Sequence, residues 1–155
     1  MCGIAGEFSF VGRVDPAVVR SMGDALEHRG PDDDGLYCHN EVGLAHRRLS
    51  IIDLTPSGHQ PMWSRDRSMV IVFNGEIYNF KEIRPDLETQ GYEFDGTSDT
   101  EVVLNAIHCW GLETALGKFI GMFAFAIWNL HSHKLFLVRD RIGIKPLYYQ
   151  ETSER

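Results

Sequence analysis

Met1-Cys2-Gly3-Ile4-Ala5-Gly6 opens the chain and decides how the rest is read, because a cysteine at position two becomes the first residue once an initiator Met is removed. Such a cysteine carries a thiol and a free α-amine on one Cα. The amine titrates near about 7.7–8.0 and the thiol near about 8.5, so nucleophile and general base sit on one residue. Taken alone, a cysteine at position two is explained as well by chance. The remaining residues must supply donors for an oxyanion and a clamp for a substrate.

Outward from that hexapeptide the chain alternates strands and helices. Ile4 to Phe10 reads as a short strand, with Gly3 and Gly6 allowing close backbone approach. Asp15-Pro16 starts a helix, Asp as N-cap and Pro at the first helical position, and Val18, Met22 and Leu26 form its apolar face. That helix stops before Gly30-Pro31, and His28 to Gly35 is a polar loop rich in helix breakers. Two strands follow around Leu36–His39 and Val42–His46, joined by Asn40-Glu41. Met69 to Tyr78 is the central-strand candidate, but Asn74-Gly75 interrupts it.

Further on, Asn79 with Glu82 resembles a capping box, while Pro85 removes a hydrogen bond from the helix it opens, at about 3 kcal/mol. Ser98-Asp99-Thr100-Glu101 is a cleaner capping box, and its helix buries Val103, Ala106, Ile107 and Trp110. A shorter helix covers Leu112 to Phe119. Met122 to Trp128 alternates large and small residues like a strand packed on both faces. His131 to Lys134 turns the chain into Leu135–Arg139 as a hairpin, and Pro146–Tyr149 is the last strand candidate. Strands on either side of a helical middle make an α+β fold in which sheets pack on each other with helices outside.

Composition narrows the function. The 155 residues suffice for one domain with one core. A net charge of −7 argues against a nucleic-acid partner, which needs a basic face. No apolar run is long enough to span a bilayer, and no secretory signal precedes the first strand, so the expected location is cytoplasmic. Three cysteines (Cys2, Cys38, Cys109) cannot pair completely, which suits a reducing compartment. The histidines do not fall at zinc-ligand spacings with the cysteines, and Cys38 and His39 point to opposite faces of a strand. Neither a P-loop nor a Rossmann fingerprint is present.

Three constellations carry chemistry, each beside a plain structural reading. Asn74-Gly75 between Val70-Ile71-Val72-Phe73 and Glu76-Ile77-Tyr78 is a strong hairpin signal, and the hairpin is the favoured expectation. The functional reading is an oxyanion hole made by the Asn amide and the Gly backbone N–H, where one donor contributes about 3–4 kcal/mol. Arg47-Arg48 reads either as solvated surface or as a fork for a carboxylate. Asp99 belongs to a capping box, or it holds a substrate ammonium. Arg48 with Asp99 would suit an α-amino acid, which bears one charge of each sign.

Taken in order, Met1-Cys2-Gly3-Ile4-Ala5-Gly6, His28-Arg29-Gly30-Pro31-Asp32, Ala45-His46-Arg47-Arg48-Leu49-Ser50-Ile51-Ile52-Asp53, Phe73-Asn74-Gly75-Glu76-Ile77-Tyr78-Asn79, Ser98-Asp99-Thr100-Glu101, Gly121 to Ala126, and Arg139 to Tyr149 cover nearly the whole chain. This series resembles the N-terminal glutaminase domain of glutamine-hydrolysing asparagine synthetases, which are class II glutamine amidotransferases. The resemblance implies an N-terminal-nucleophile hydrolase fold, a four-layer αββα sandwich of two stacked antiparallel sheets. It also implies hydrolysis of glutamine to glutamate and ammonia, after loss of Met1. Cys2 would be the nucleophile, Asn74 and Gly75 the oxyanion hole, and Arg48 the holder of the substrate carboxylate. Glu76 and Asp99 would contact the substrate amino group, and Ile51 would line the pocket.

By the same resemblance residues 1–155 are one glutaminase domain, truncated at its C-terminal end, with no cofactor of its own. ATP and magnesium are expected only in a synthetase domain of the full-length chain, which is absent here and would consume the ammonia. Missing final strands would leave an unpaired sheet edge that invites a homodimer. Two alternatives stay open: the same domain from an amidotransferase with another acceptor, and a non-catalytic glutamine-sensing or docking domain.

Overall fold

Alternation along three strands builds the layer that ends in the candidate site. The computed structural model describes Met1–Arg155. Its strands are β1 (Gly3–Phe8), β2 (Asp33–His39), β3 (Val42–Arg48), β4 (Met62–Trp63), β5 (Met69–Ile77), β6 (Gly121–Asn129) and β7 (Lys134–Arg139). Its helices are α1 (Pro16–Asp24), α2 (Phe80–Thr89), α3 (Asp99–Trp110) and α4 (Leu112–Lys118). One sheet has the order β1-β3-β2 and the other β4-β5-β6-β7, and every pairing is antiparallel. With α1 against the first sheet and α2 to α4 against the second, the layers run α, β, β, α, as the resemblance implies.

Successive side chains of a strand face opposite ways, so one parity of each strand fills the space between the sheets. On β3 that parity is Val42, Leu44, His46 and Arg48; on β5 it is Val70, Val72, Asn74 and Glu76; on β1 it begins at Cys2 and includes Ile4 and Phe8. Val42, Leu44, Val70 and Val72 form the inter-sheet core with Ala126 and Trp128, flanked by Ile4 and Phe8. All three runs change from apolar to polar toward the same end of the sandwich. The opposite parity of β5, including Ile71, Phe73 and Ile77, packs under α2 to α4 with Phe125, Leu87 and Leu104 in the larger core.

Asn74-Gly75 is not a hairpin. β5 runs unbroken from Met69 to Ile77, and Asn74 and Gly75 pair with Ala124 and Phe123 of β6. The local turn preference loses to burial on both sides of the strand, which no other stretch of the chain is placed to fill.

The face of α1 also differs from the sequence expectation. Val19 and Gly23 are buried, whereas Val18 and Met22 are each 41% exposed. The helix packs through its smallest residues because β3 brings it close: a Cβ on Gly43 would meet Val19 Cγ2 at 2.6 Å, and one on Gly23 would meet Ala45 at 3.1 Å. Bulkier side chains would hold the layers apart.

Pro85 lies inside α2 without ending it. Burial of Ile83 and Leu87, at about 1.5–3 kcal/mol each, offsets the lost hydrogen bond. Asn79 does not cap this helix with its side chain. Its amide instead bridges to the start of β6, donating to Lys118 O at 3.0 Å and accepting from Ile120 N at 2.9 Å. The capping box of α3 forms, with Ser98 Oγ accepting from Glu101 N at 3.2 Å. Pro146–Tyr149 forms no strand. Tyr148 and Tyr149 are exposed over an apolar groove of about 610 Å³ between the free edges of β1 and β7. No helix is long and apolar enough to cross a membrane.

Candidate active site

Cys2 enters the site because β1 begins immediately after it and pairs with β3 in the register Gly3↔Arg47. This sets the thiol beside the end of β3, where Leu49 N donates to Sγ at 3.4 Å and Leu49 O lies 3.7 Å from Sγ. Arg29 Nε donates to the Cys2 carbonyl at 3.2 Å. The thiol is half-buried and unpaired with another cysteine.

The donors come from β5. Tyr78 N donates to Ile120 O, so even-numbered amides of β5 face β6 and odd-numbered ones face the other way. β4 covers that other side only near Val70 and Ile71. Beyond it, Phe73 N donates to Gln60 Oε1 at 2.6 Å and Ile77 N to Asp99 Oδ2 at 2.9 Å. The amide of Gly75 lies between these two on the same side and lines the cavity. A side chain there would put Cβ 2.6 Å from Phe123 Cα, so only glycine fits. Asn74, buried and of the inter-sheet parity, lines the same cavity.

Parity also separates the two arginines. Arg47 faces α1 and pairs with Asp24, while Arg48 faces inward and is buried. Arg48 Nη1 donates to Thr55 O at 3.0 Å and Nη2 donates to Asp53 O. Carbonyls orient the guanidinium but do not neutralise it, so its charge stays available for a carboxylate. The loop carrying them is fixed by Asp53, whose carboxylate accepts from Thr55 Oγ1 at 2.6 Å and Thr97 N at 2.7 Å. The Thr55 hydroxyl leads the bonds that pull the Asp53 carboxyl down to about 2. Ile51 on this loop lines the cavity while 68% exposed.

Asp99 is the first residue of α3 and is buried. Burial is the main cause that pushes its carboxyl up to about 6, and the nearby Glu76 adds to the rise against the Ile77 and Thr100 amides. Glu76 projects from β5 with the parity of Asn74. Cys2, Arg48, Ile51, Asn74, Gly75, Glu76 and Asp99 thus line one cavity of about 110 Å³. These seven bring to it a thiol, two neutral donors, one cation and two acids.

A model of the glutamine amidotransferase domain matches residues 1–155. The chain belongs to that family. Asparagine synthetase [glutamine-hydrolyzing] 1 of Bacillus subtilis is 45% identical over 100% of this chain and 25% of its own length. Asparagine synthetase [glutamine-hydrolyzing] 2 of the same organism is 43% identical over 97% of this chain and 20% of its own. Amidase chyE of Penicillium rubens is 39% identical over 96% and 24%. The chain therefore spans about a quarter of the length of these curated relatives or less. In the solved structures, glutamine phosphoribosylpyrophosphate amidotransferase from B. subtilis superposes with a TM-score of 0.69 at 20% identity, over 92% of this chain and 38% of that one. That likeness agrees with the N-terminal-nucleophile hydrolase fold.

The structure also places at or behind this cavity residues that the sequence alone does not single out. His46, at no zinc-ligand spacing with the cysteines, is buried between the sheets with Nε2 3.2 Å from Phe73 O. Burial brings its pKa down to about 4, so at neutral pH it is an uncharged donor tying β3 to the strand that carries Asn74. Gln60 fixes the same strand through Phe73 N and anchors to Thr100 Oγ1 at 3.2 Å. Lys145 lines the cavity from the loop after β7. Polar residues in a loop, such as Gln60 and Lys145, carry no pattern that marks them as buried; His46 and Lys145 stand within the quoted motifs, whereas Gln60 stands outside them.

Proposed function

We propose that this domain hydrolyses the side-chain amide of glutamine to glutamate and ammonia through a thioester on Cys2. The observation that supports it best is the convergence of Cys2, Asn74 and the Gly75 amide on a cavity that also holds an unpaired Arg48 and the acids Glu76 and Asp99. Arg48 takes the α-carboxylate of glutamine, and Asp99 with Glu76 takes its α-ammonium. The side-chain amide is then directed at the thiol. The freed α-amine of Cys2 accepts the thiol proton, and sulfur attacks the amide carbon. The oxyanion accepts hydrogen bonds from Asn74 and Gly75. The protonated amine returns its proton to the departing nitrogen, ammonia leaves, and water cleaves the thioester. Every step is served by the chain's own groups and needs no cofactor.

The test is glutamate release by protein whose intact mass shows Met1 removed. Release from glutamine supports the reading. Tight glutamine binding without turnover would instead favour a sensing domain.

The relatives' names support a second part of the proposal: the ammonia is consumed by a synthetase segment that makes asparagine, with residues 1–155 as the glutaminase domain of a longer chain; the dependence of that segment on ATP and magnesium rests on the family resemblance alone. The likeness to amidase chyE keeps another acceptor open. A homodimer through the free edges of β1 and β7 belongs to the same proposal.

Asp99 makes glutamine binding sensitive to acid. The substrate ammonium needs the carboxylate form, and in the unliganded site that form is lost as pH falls through about 6. A proton and the ammonium then compete for one group. Glutamine Kd is expected to be flat from pH 7 to 8 and to rise about tenfold per pH unit well below 6. Calorimetry on a Cys2→Ala protein, which binds without turning over, reads this directly. A Kd constant down to pH 5 would remove Asp99 from ammonium recognition.

A further inference from the structure

Lys145 is only 3% exposed, yet no carboxylate lies within ion-pair distance of its ammonium. Its Nζ contacts Met1 Sδ at 2.7 Å. A thioether is a weak acceptor and compensates little of the cost of burying a charge. Nearby Asp140 does not neutralise it either. That carboxylate is occupied by backbone amides, accepting from Phe123 N at 3.2 Å, Ile144 N at 2.9 Å and Lys145 N at 2.9 Å. Arg139 Nε holds the Lys145 carbonyl at 2.7 Å from the other side. The loop is thus built to keep a lysine side chain in the cavity it shares with Cys2 and Asn74.

The Met1 sulfur is tethered by its own short side chain to the peptide bond that Met1 makes with Cys2. A cation touching that sulfur shares the cavity with Cys2, whose nitrogen becomes the α-amine when the bond is cut. We propose that Lys145 is a positioning residue for glutamine hydrolysis, its buried ammonium facing the freed α-amine of Cys2 and favouring the neutral, proton-accepting form of that amine. The inference rests on the glutaminase reading above.

The other charges around the amine leave this effect standing. Arg29, on the Cys2 carbonyl, acts with the same sign as Lys145. In the free enzyme Arg48 adds to Lys145 while the acids Glu76 and Asp99 act against both, and in the complex the two charges of glutamine neutralise all three. The Cys2 thiolate exists only while the amine holds the proton. Lys145 stabilises that thiolate and disfavours the ammonium beside it, so it also speeds return of the proton to the departing nitrogen.

The experiment compares processed native protein with Lys145→Met and Lys145→Arg. The acid limb of kcat/KM reports the amine of the free enzyme, with a second break near 6 from Asp99 that Lys145 variants leave in place. Loss of one nearby positive charge is expected to move that limb up by about one pH unit, so K145M loses about tenfold at pH 7 and recovers above pH 9. K145R, which keeps the charge, should follow the native profile. A K145M profile parallel to native would overturn the proposal, because a merely structural loss scales the curve without moving it. The native protein supplies a measurement independent of any variant's folding. NMR titration of the ¹⁵N-labelled Cys2 α-amine should find it below the ordinary range of about 7.7–8.0, and a value within or above that range also overturns the proposal. If processed native protein releases no glutamate, the glutaminase reading falls, and the amine titration still decides the effect of Lys145.

Discussion

Protein that keeps Met1 is expected to release no glutamate from glutamine, and the same protein after Met1 removal is expected to release it. While Met1 is attached, the nitrogen of Cys2 is an amide, whose lone pair is delocalised and accepts no proton near neutral pH. General-base help of this kind is worth about 10²–10⁴-fold, and all of it is lost. Space adds a second obstacle. The Met1 side chain lines the same cavity as Cys2, Arg48 and Asn74, with its sulfur on Lys145. Substrate and Met1 compete for one volume. Cys2→Ala reaches the same end differently, since it keeps the amine and removes the sulfur that forms the thioester. Intact mass paired with glutamate release checks both forms. Full activity in material that retains Met1 would refute the α-amine as base.

The sequence and the fold agree at this site because one rule governs both. The inter-sheet parities of β1, β3 and β5 turn from Ile4, Leu44 and Val72 to Cys2, His46 with Arg48, and Asn74 with Glu76. A strand cannot hide polar side chains without partners, so this end of the sandwich is a cavity and not a core. Parity also decides between Arg47 and Arg48, which the dipeptide alone leaves open. Where reading failed, a longer-range contact outweighed a local preference. Asn74-Gly75 turns readily in isolation, but here it is held extended by pairing with Ala124 and Phe123 of β6. The apolar face expected for α1 ignored the glycine in β3 that lets Val19 approach. Lys145 and Asp140 stand in a loop without periodicity, so their burial follows only from tertiary structure.

Asn74→Ala is expected to lower kcat by about 10²–10³-fold while leaving the KM for glutamine within about threefold. The geometry separates the two quantities. In the proposed mechanism ground-state glutamine is held by its charged end at Arg48 and Asp99, whose hydrogen bonds do not involve the Asn74 amide. In that mechanism the oxyanion exists only after sulfur has attacked, and its proposed donors are that amide and the Gly75 N–H. Removing one donor therefore costs the transition state and spares the bound substrate. Gly75 cannot be tested the same way, because a Cβ there would strike Phe123 and disturb the strand itself. Asn74→Asp is the sharper companion. It keeps the size of the side chain but replaces a donor with an anion facing the developing negative charge, so its kcat should fall below that of the alanine variant. Steady-state kinetics on processed protein distinguish the outcomes. An alanine variant with native kcat and a raised KM would move Asn74 from the oxyanion to the substrate's ground state, and the mechanism would then rest on Gly75 alone.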